Sequence, residues 1–110
     1  MSHAAMSSVF RALADPTRRG VIERLSRSPA AVSELAEPYA MALPSFLQHL
    51  KVLEDCGLVR SQKRGRVRTY RLLPRRLERA EGWLAQQRSL WTRRLDQLDA
   101  HLKERKEQRP

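Results

Sequence analysis

Few residues of this chain are of a type that does chemistry: Cys56, His49, the group Asp96, Asp99 and His101, and a dense run of arginines. A thiol acts as nucleophile, redox group or metal ligand only where neighbours lower its pKa or share the ion. Cys56 is the single cysteine, and His49 precedes it by seven positions with no further ligand at metal spacing. It reads as a small core residue, with redox sensing as the second reading. A lone cysteine also leaves no intrachain disulfide and fits a reducing compartment. Asp99 and His101 lie two apart, which does not place them on one helix face. With Asp96 they read as a solvated or structural cluster. There is no Gly-rich phosphate loop, no HExxH and no recognisable Ser, His and Asp arrangement. The expectation is a protein that is not an enzyme, with no catalytic residue, no metal and no cofactor.

The arginines carry the stronger signal. The 110 residues have a net charge of +10, and the charge is segregated. From Arg60 to Arg76 there are eight Lys or Arg residues and no acid, while Glu34, Glu37, Glu54 and Asp55 lie upstream. Such a field suits a polyanion. A merely solvated face and an anionic membrane surface are the competing readings. No apolar segment approaches the ~20 residues that span a bilayer. Nor does an apolar signal core precede "RALADPTRR", so a cytoplasmic location is expected.

The elements that must hold these residues are legible as punctuation and period. Residues 1–6 read as a flexible start, and Val9, Phe10 and Leu13 give a short helix over Ser7–Leu13. In "ADPTRR", Asp15 is placed to cap a second helix, with Pro16 at its first position. Val21, Ile22 and Leu25 line that helix to about Ser26. A third, short helix begins at Ser28 or Pro29, with Val32, Leu35 and Ala36 inward, and stops before Pro38. In "ALPSFLQHLKVLEDCGLV" the apolar residues Leu43, Phe46, Leu47, Leu50 and Leu53 recur three and four apart, the spacing of an inward stripe. Gly57 supplies the left-handed residue that ends this helix. From Val59 the period changes to that of a β-hairpin, with strands at Val59–Lys63 and Val67–Leu72 around Arg64–Gly65–Arg66.

Pro74 closes the hairpin, and a long helix runs from about Arg75 to Lys103. Leu77, Leu84, Trp91 and Leu98 recur every seven residues, with Leu95 and Leu102 between them. That repeat marks a helix packed along another helix. A symmetric dimer covers it better than folding back over so small a domain. Residues 104–110 read as a flexible tail.

A compact set of helices followed by a basic hairpin suits duplex DNA, because one helix fits the major groove and its flanks rest on phosphates. Pro44, Ser45, Gln48 and His49 are the candidate base-contacting residues of the fourth helix. Lys51, Lys63, Arg64, Arg66 and Arg68 are the candidates for the DNA backbone or wing. His49 has a second assignment, to a backbone group or a phosphate.

"ALADPTRRGVIERL", "AVSELAE", "LPSFLQHLKVLEDCGLV" and "KRGRVRTYRL" follow one another in the order of the ArsR/SmtB-like winged helix-turn-helix repressors, which this chain resembles over about residues 7–73. The resemblance implies a mostly α fold with a β-hairpin wing and a long C-terminal dimerisation helix. It places the DNA-binding core at 7–73 and the dimerisation helix at 74–103. It also implies a homodimer using the first and last helices, hence Phe10, Leu77, Leu84, Trp91, Leu95, Leu98 and Leu102 at the interface. Metal-sensing members carry a cysteine pair before the recognition helix, where this chain has "AVSELAE". Asp99–Ala100–His101 imitates a second metal-site type but lies too far along the last helix, with no His after it. The branch without classical metal ligands is therefore the match.

The function expected is a DNA-binding transcription regulator, a homodimeric repressor that occludes a near-palindromic operator in double-stranded DNA. It would be nucleoid-associated and independent of membranes. A protein-interaction adaptor on the same scaffold is the alternative. The trigger for release is left open between a small-molecule inducer, Cys56 oxidation, a protein partner and none.

Overall fold

The computed structural model describes residues 2–108. The elements follow in the order α1 (His3–Leu13), α2 (Pro16–Leu25), β1 (Ala30–Ala31), α3 (Val32–Ala36), α4 (Leu43–Asp55), β2 (Val59–Arg64), β3 (Val67–Leu72) and α5 (Pro74–Glu107). The fold is mostly helical, with a small antiparallel sheet as wing and a long C-terminal helix. Two compact units form, one from residues up to Ala80 and one from Glu81 onward.

Local chemistry explains most boundaries. Helix α1 starts at His3, four residues before the expected place, because Ser2 caps it: its hydroxyl oxygen accepts from Ala5 N–H at 3.1 Å. The expected flexible start thus holds helix from His3, and Met1 lies outside the described residues. At α2 the cap is as expected, with the Asp15 carboxylate accepting from Arg18 N–H at 3.0 Å and Pro16 in the first turn. Helix α4 ends in a paired motif in which Leu58 N–H donates to Leu53 C=O and Gly57 N–H to Glu54 C=O, both at 3.0 Å. Gly57 has φ +80°, and Leu53 and Leu58 are fully buried beneath the turn. That is the Schellman arrangement, which needs a left-handed residue at this point.

Two segments depart from expectation. Residues Ala30–Ala31 form β1, pairing with Tyr70 and Thr69, so the third helix begins at Val32 rather than Ser28 or Pro29. The sheet order is β1-β3-β2. At the other end α5 continues through Glu107, so the expected tail is helical there. Arg109 and Pro110 lie outside the described residues.

The core of the first unit takes Val9 and Ala12 from α1, Val21, Ile22 and Leu25 from α2, Leu35 from α3, and Phe46, Leu50 and Leu53 from α4. Val59 and Tyr70 close it from the hairpin. A two-stranded hairpin is marginal alone. Here β1 and the buried Val59 and Tyr70 fix it to the helices.

Candidate nucleic-acid interface

Helix α4 presents its first turn unencumbered. Ala42 supplies no side-chain cap, and Pro44 has no N–H to satisfy. The amides of Leu43 and Ser45 precede the first helical bond, from Phe46 N–H to Ala42 C=O at 3.1 Å. Such free amides at a helix N-terminus favour an anion. Phe46, Leu50 and Leu53 are buried, whereas Pro44, Ser45, Gln48 and Lys51 are exposed on the other side. Two of the five apolar residues expected to face inward do not. Leu43 is 53% exposed and Leu47 41% exposed, because the buried arc of α4 is centred on Phe46, Leu50 and Leu53. Leu47 therefore stands beside Gln48 on the outer surface, an apolar candidate for groove contact that the three-and-four spacing concealed.

His49 is turned away from that surface. Its Nδ1 lies 3.1 Å from Arg18 Nη1 and 3.7 Å from the Asp15 carboxylate, and its side chain is 23% exposed. The Arg18 guanidinium also donates to Ala12 C=O at 2.8 Å and Arg11 C=O at 3.2 Å. One arginine thus closes the C-terminus of α1, sits on the first turn of α2 and holds α4. The Arg18 backbone N–H is the main reason the Asp15 carboxyl titrates below its usual range. His49 and the Arg18 charge lower it further, against the opposing effect of burial.

A second brace crosses the same helices. The Tyr39 ring stacks on Phe46 with centroids 5.6 Å apart. Gly20 of α2 lies so close to the Tyr39 hydroxyl that any Cβ there would collide with it. These contacts orient α4 before any ligand arrives.

The hairpin is in register from Val59 opposite Leu72 to Arg64 opposite Val67, leaving Gly65 and Arg66 as the turn. Gly65 has φ +60° and, among the described residues, no non-glycine residue has positive φ, the pattern of a type II′ turn that suits hairpin twist. Lys63, Arg64 and Arg66 are exposed around this tip. Arg68 behaves differently. Its guanidinium donates to Ser61 Oγ at 2.8 Å, and Ser61 Oγ–H donates to the Glu54 carboxylate at 2.8 Å. The relay ties the wing to the last turn of α4, so tip and helix hold a fixed relation.

Comparison with known proteins agrees with this geometry. A family model described as a helix-turn-helix domain matches residues 13–62. The crystal structure of an ArsR family transcriptional regulator, RHA00566, is 53% identical with a TM-score of 0.77, over 80% of this chain and 97% of that one. The chain belongs to the ArsR family of transcriptional regulators. It is 46% identical over 65 residues to the HTH-type transcriptional regulator Rv2034 of Mycobacterium tuberculosis, covering 59% of this chain and 61% of that protein. The transcriptional repressor SdpR of Bacillus subtilis is 28% identical over 79 residues, 72% of this chain and 88% of that one. These relatives are named as regulators and not as enzymes.

In this ArsR-family chain, the apolar repeat of α5 divides at Ala80. Leu77 packs on the core of its own unit, as does Phe10, both half-buried. Further along, Leu84, Trp91, Leu95, Leu98 and Leu102 are all more than half exposed, with Leu90 at 45% beside them. Asp99 pairs with Lys103 at 3.3 Å one turn on. Cys56 is 6% exposed with its Sγ on Leu53 C=O at 3.3 Å, and burial pushes its pKa up. That is the environment of an inert core thiol. No described helix is long and apolar enough to cross a membrane.

Proposed function

We propose that this ArsR-family regulator binds a near-palindromic site in double-stranded DNA as a homodimer and represses transcription by occluding a promoter. The observation that carries the proposal is the outer face of α4. Pro44, Ser45, Leu47 and Gln48 stand exposed on a helix braced from behind, and a cationic hairpin tip is tied to the end of that helix. Gln48 has the geometry to pair bidentately with adenine, and Leu47 suits a thymine methyl group. Ser45 and the first-turn amides are placed for a base edge or a phosphate. Lys51 and the tip residues Lys63, Arg64 and Arg66 would neutralise backbone phosphates. His49, held by Arg18, acts as a strut for α4 rather than as a reader of bases. Arg68 likewise positions the wing.

The exposed stripe Leu84, Trp91, Leu95, Leu98 and Leu102 supports pairing with a second copy, since a seven-residue apolar repeat favours helix against helix. Two copies would place two recognition helices in successive major grooves, about 34 Å apart. That SdpR is named a repressor supports the repressive sense. The site of action would be the cytoplasmic nucleoid.

Fluorescence anisotropy with the gene's own upstream region tests this. Nanomolar to micromolar affinity with a steep salt slope is expected. Arg64→Ala with Arg66→Ala should weaken binding to every duplex and reduce the slope by about 2. Gln48→Ala should cost about 1–3 kcal/mol on the preferred site and relax the preference there. If neither the upstream region nor a random duplex is bound at low salt, the proposal fails.

A further inference from the structure

The outer face of the sheet carries an arrangement that the DNA-reading surface does not use. Arg60 of β2 and Arg71 of β3 stand directly opposite each other in the antiparallel register. The next pair on that face is Gln62 opposite Thr69, since residues two apart along a strand share a face. The opposite face carries Val59 and Tyr70, which are buried in the core, so these four side chains point the other way. Together with Pro29 and Ser61 they line a cleft of about 500 Å³.

Two arginines directly opposite, with Cβ atoms about 4.5–5.5 Å apart, repel and are disfavoured in a sheet unless something lies between them. No carboxylate lines the cleft, and neither guanidinium has an ion pair among the described residues. The lining side chains are rich in donors: each guanidinium offers five N–H groups, Gln62 a carboxamide NH2 and Thr69 a hydroxyl. Guanidinium forks match the planar or tetrahedral oxygens of carboxylate and phosphate. The volume lies in the range of small-molecule sites and exceeds what a bare inorganic oxyanion fills. Pro29 and the arginine stems offer apolar walls for the remainder of a ligand.

We propose that this cleft is a binding site for a small organic oxyanion, a phosphate ester or carboxylate, held between Arg60 and Arg71. The pair lies four residue steps, about 13 Å, from the Arg64–Val67 pair at the wing tip. A ligand there would tie β2 to β3 at the base of the wing.

The test uses the full chain without DNA, at constant ionic strength, titrated with phenyl phosphate and with inorganic phosphate while backbone amide shifts are followed by NMR. Saturable shifts confined to residues 60–62 and 69–71 are expected, with phenyl phosphate binding several-fold tighter. Arg60→Gln with Arg71→Gln should weaken this at least tenfold, while Arg105→Gln with Lys106→Gln should leave it unchanged. Removing a like-charge pair should not unfold the sheet, and a thermal melt of the double variant checks that. Non-saturating shifts spread over exposed arginines such as Arg75 and Arg79, or equal binding by the double variant, would overturn the site. A DNA arm separates the two sources of oxyanion. If phosphate probes do not saturate but the double variant lowers the salt slope on duplex DNA by about 2, the pair is a backbone clamp and the free-ligand site is refuted. Because the first arm contains no DNA, failure of the repressor reading would leave its result intact.

Discussion

Arg18 ties α4 to α1 and α2, and Arg18→Met isolates its head group while keeping most of its stem. The guanidinium makes two half-buried bonds, to Ala12 C=O at 2.8 Å and His49 Nδ1 at 3.1 Å, and an exposed one to Arg11 C=O at 3.2 Å. Bonds from a charged donor contribute about 1.5–3 kcal/mol when well buried. Partial exposure brings each half-buried one to about 1 kcal/mol. The positive charge at the C-terminus of α1 adds about 0.5 kcal/mol. The exposed bond competes with water and adds little. The expected loss is therefore about 2–3 kcal/mol, which for about 100 residues lowers Tm by roughly 10–20 °C. Urea unfolding at one fixed protomer concentration measures it, because association would otherwise shift the midpoint. A cycle with His49→Leu should return a coupling of about 0.5–1.5 kcal/mol, as for residues sharing one hydrogen bond. DNA affinity of the folded variant should drop more on the preferred site than on random duplex, since the outer face of α4 would lose its fixed angle. A loss below about 0.5 kcal/mol, or zero coupling to His49, would show that the brace is incidental and that α4 is oriented by its apolar face alone.

Gly57→Ala should destabilise by about 1–2 kcal/mol in urea titration, since φ +80° is costly for any residue with a Cβ and the added atom would press on Arg76. The Asp15 carboxyl titrates below its usual range, so its charge stabilises the fold above about pH 4 and that contribution disappears as pH falls through the lowered value. Asp15→Asn, which still caps, should cost a few tenths to 1 kcal/mol at pH 7, and in melts across pH the gap should close as pH falls through the lowered Asp15 value. Cys56 should react with a thiol reagent at neutral pH far more slowly in the native protein than in denaturant, because burial raises its pKa and shields its sulfur. Leu95→Glu should shift sedimentation from dimer to monomer at micromolar protein, with the first unit still folded by circular dichroism.

Much of the fold is legible in the sequence where a signal is local. Asp15–Pro16 at the start of α2, Gly57 at the end of α4 and Gly65 in the hairpin each announce their role through backbone chemistry within four residues. What escapes is non-local. Ala30–Ala31 carries no strand signal of its own and becomes β1 only because β3, some forty residues on, offers an open edge. The side chain of Arg18 looks like one more basic residue until α1 and α4 are brought to it. The outward turn of Leu43 and Leu47 was hidden for another reason. Five apolar residues at three-and-four spacing cover a wide arc, and sequence alone does not say where its centre lies. The exposed surface of α4 is thus more apolar than its letters suggest, and His49 lies against Arg18 and Asp15, a contact its position in the sequence does not announce.

The distribution of charge separates two tasks that one surface could have combined. The exposed side of α4 has Lys51 as its only base, and the helix ends in Glu54 and Asp55, so it is nearly neutral. Within the first unit, Lys63, Arg64 and Arg66 concentrate cationic charge at the wing tip. Phosphate contacts set affinity and its salt dependence without reading sequence, whereas uncharged groups at base edges discriminate with little non-specific attraction. A reading helix rich in lysine would hold any duplex and blunt its own selectivity. Under the proposed function, a neutral one carrying Ser45, Leu47 and Gln48 would leave the holding to the hairpin. The Arg68–Ser61–Glu54 relay matters in this light, because it fixes the charged tip relative to the reading face. Breaking it with Ser61→Ala should therefore reduce discrimination between sites more than it reduces affinity for random duplex. An equal loss on both would place the relay in stability alone.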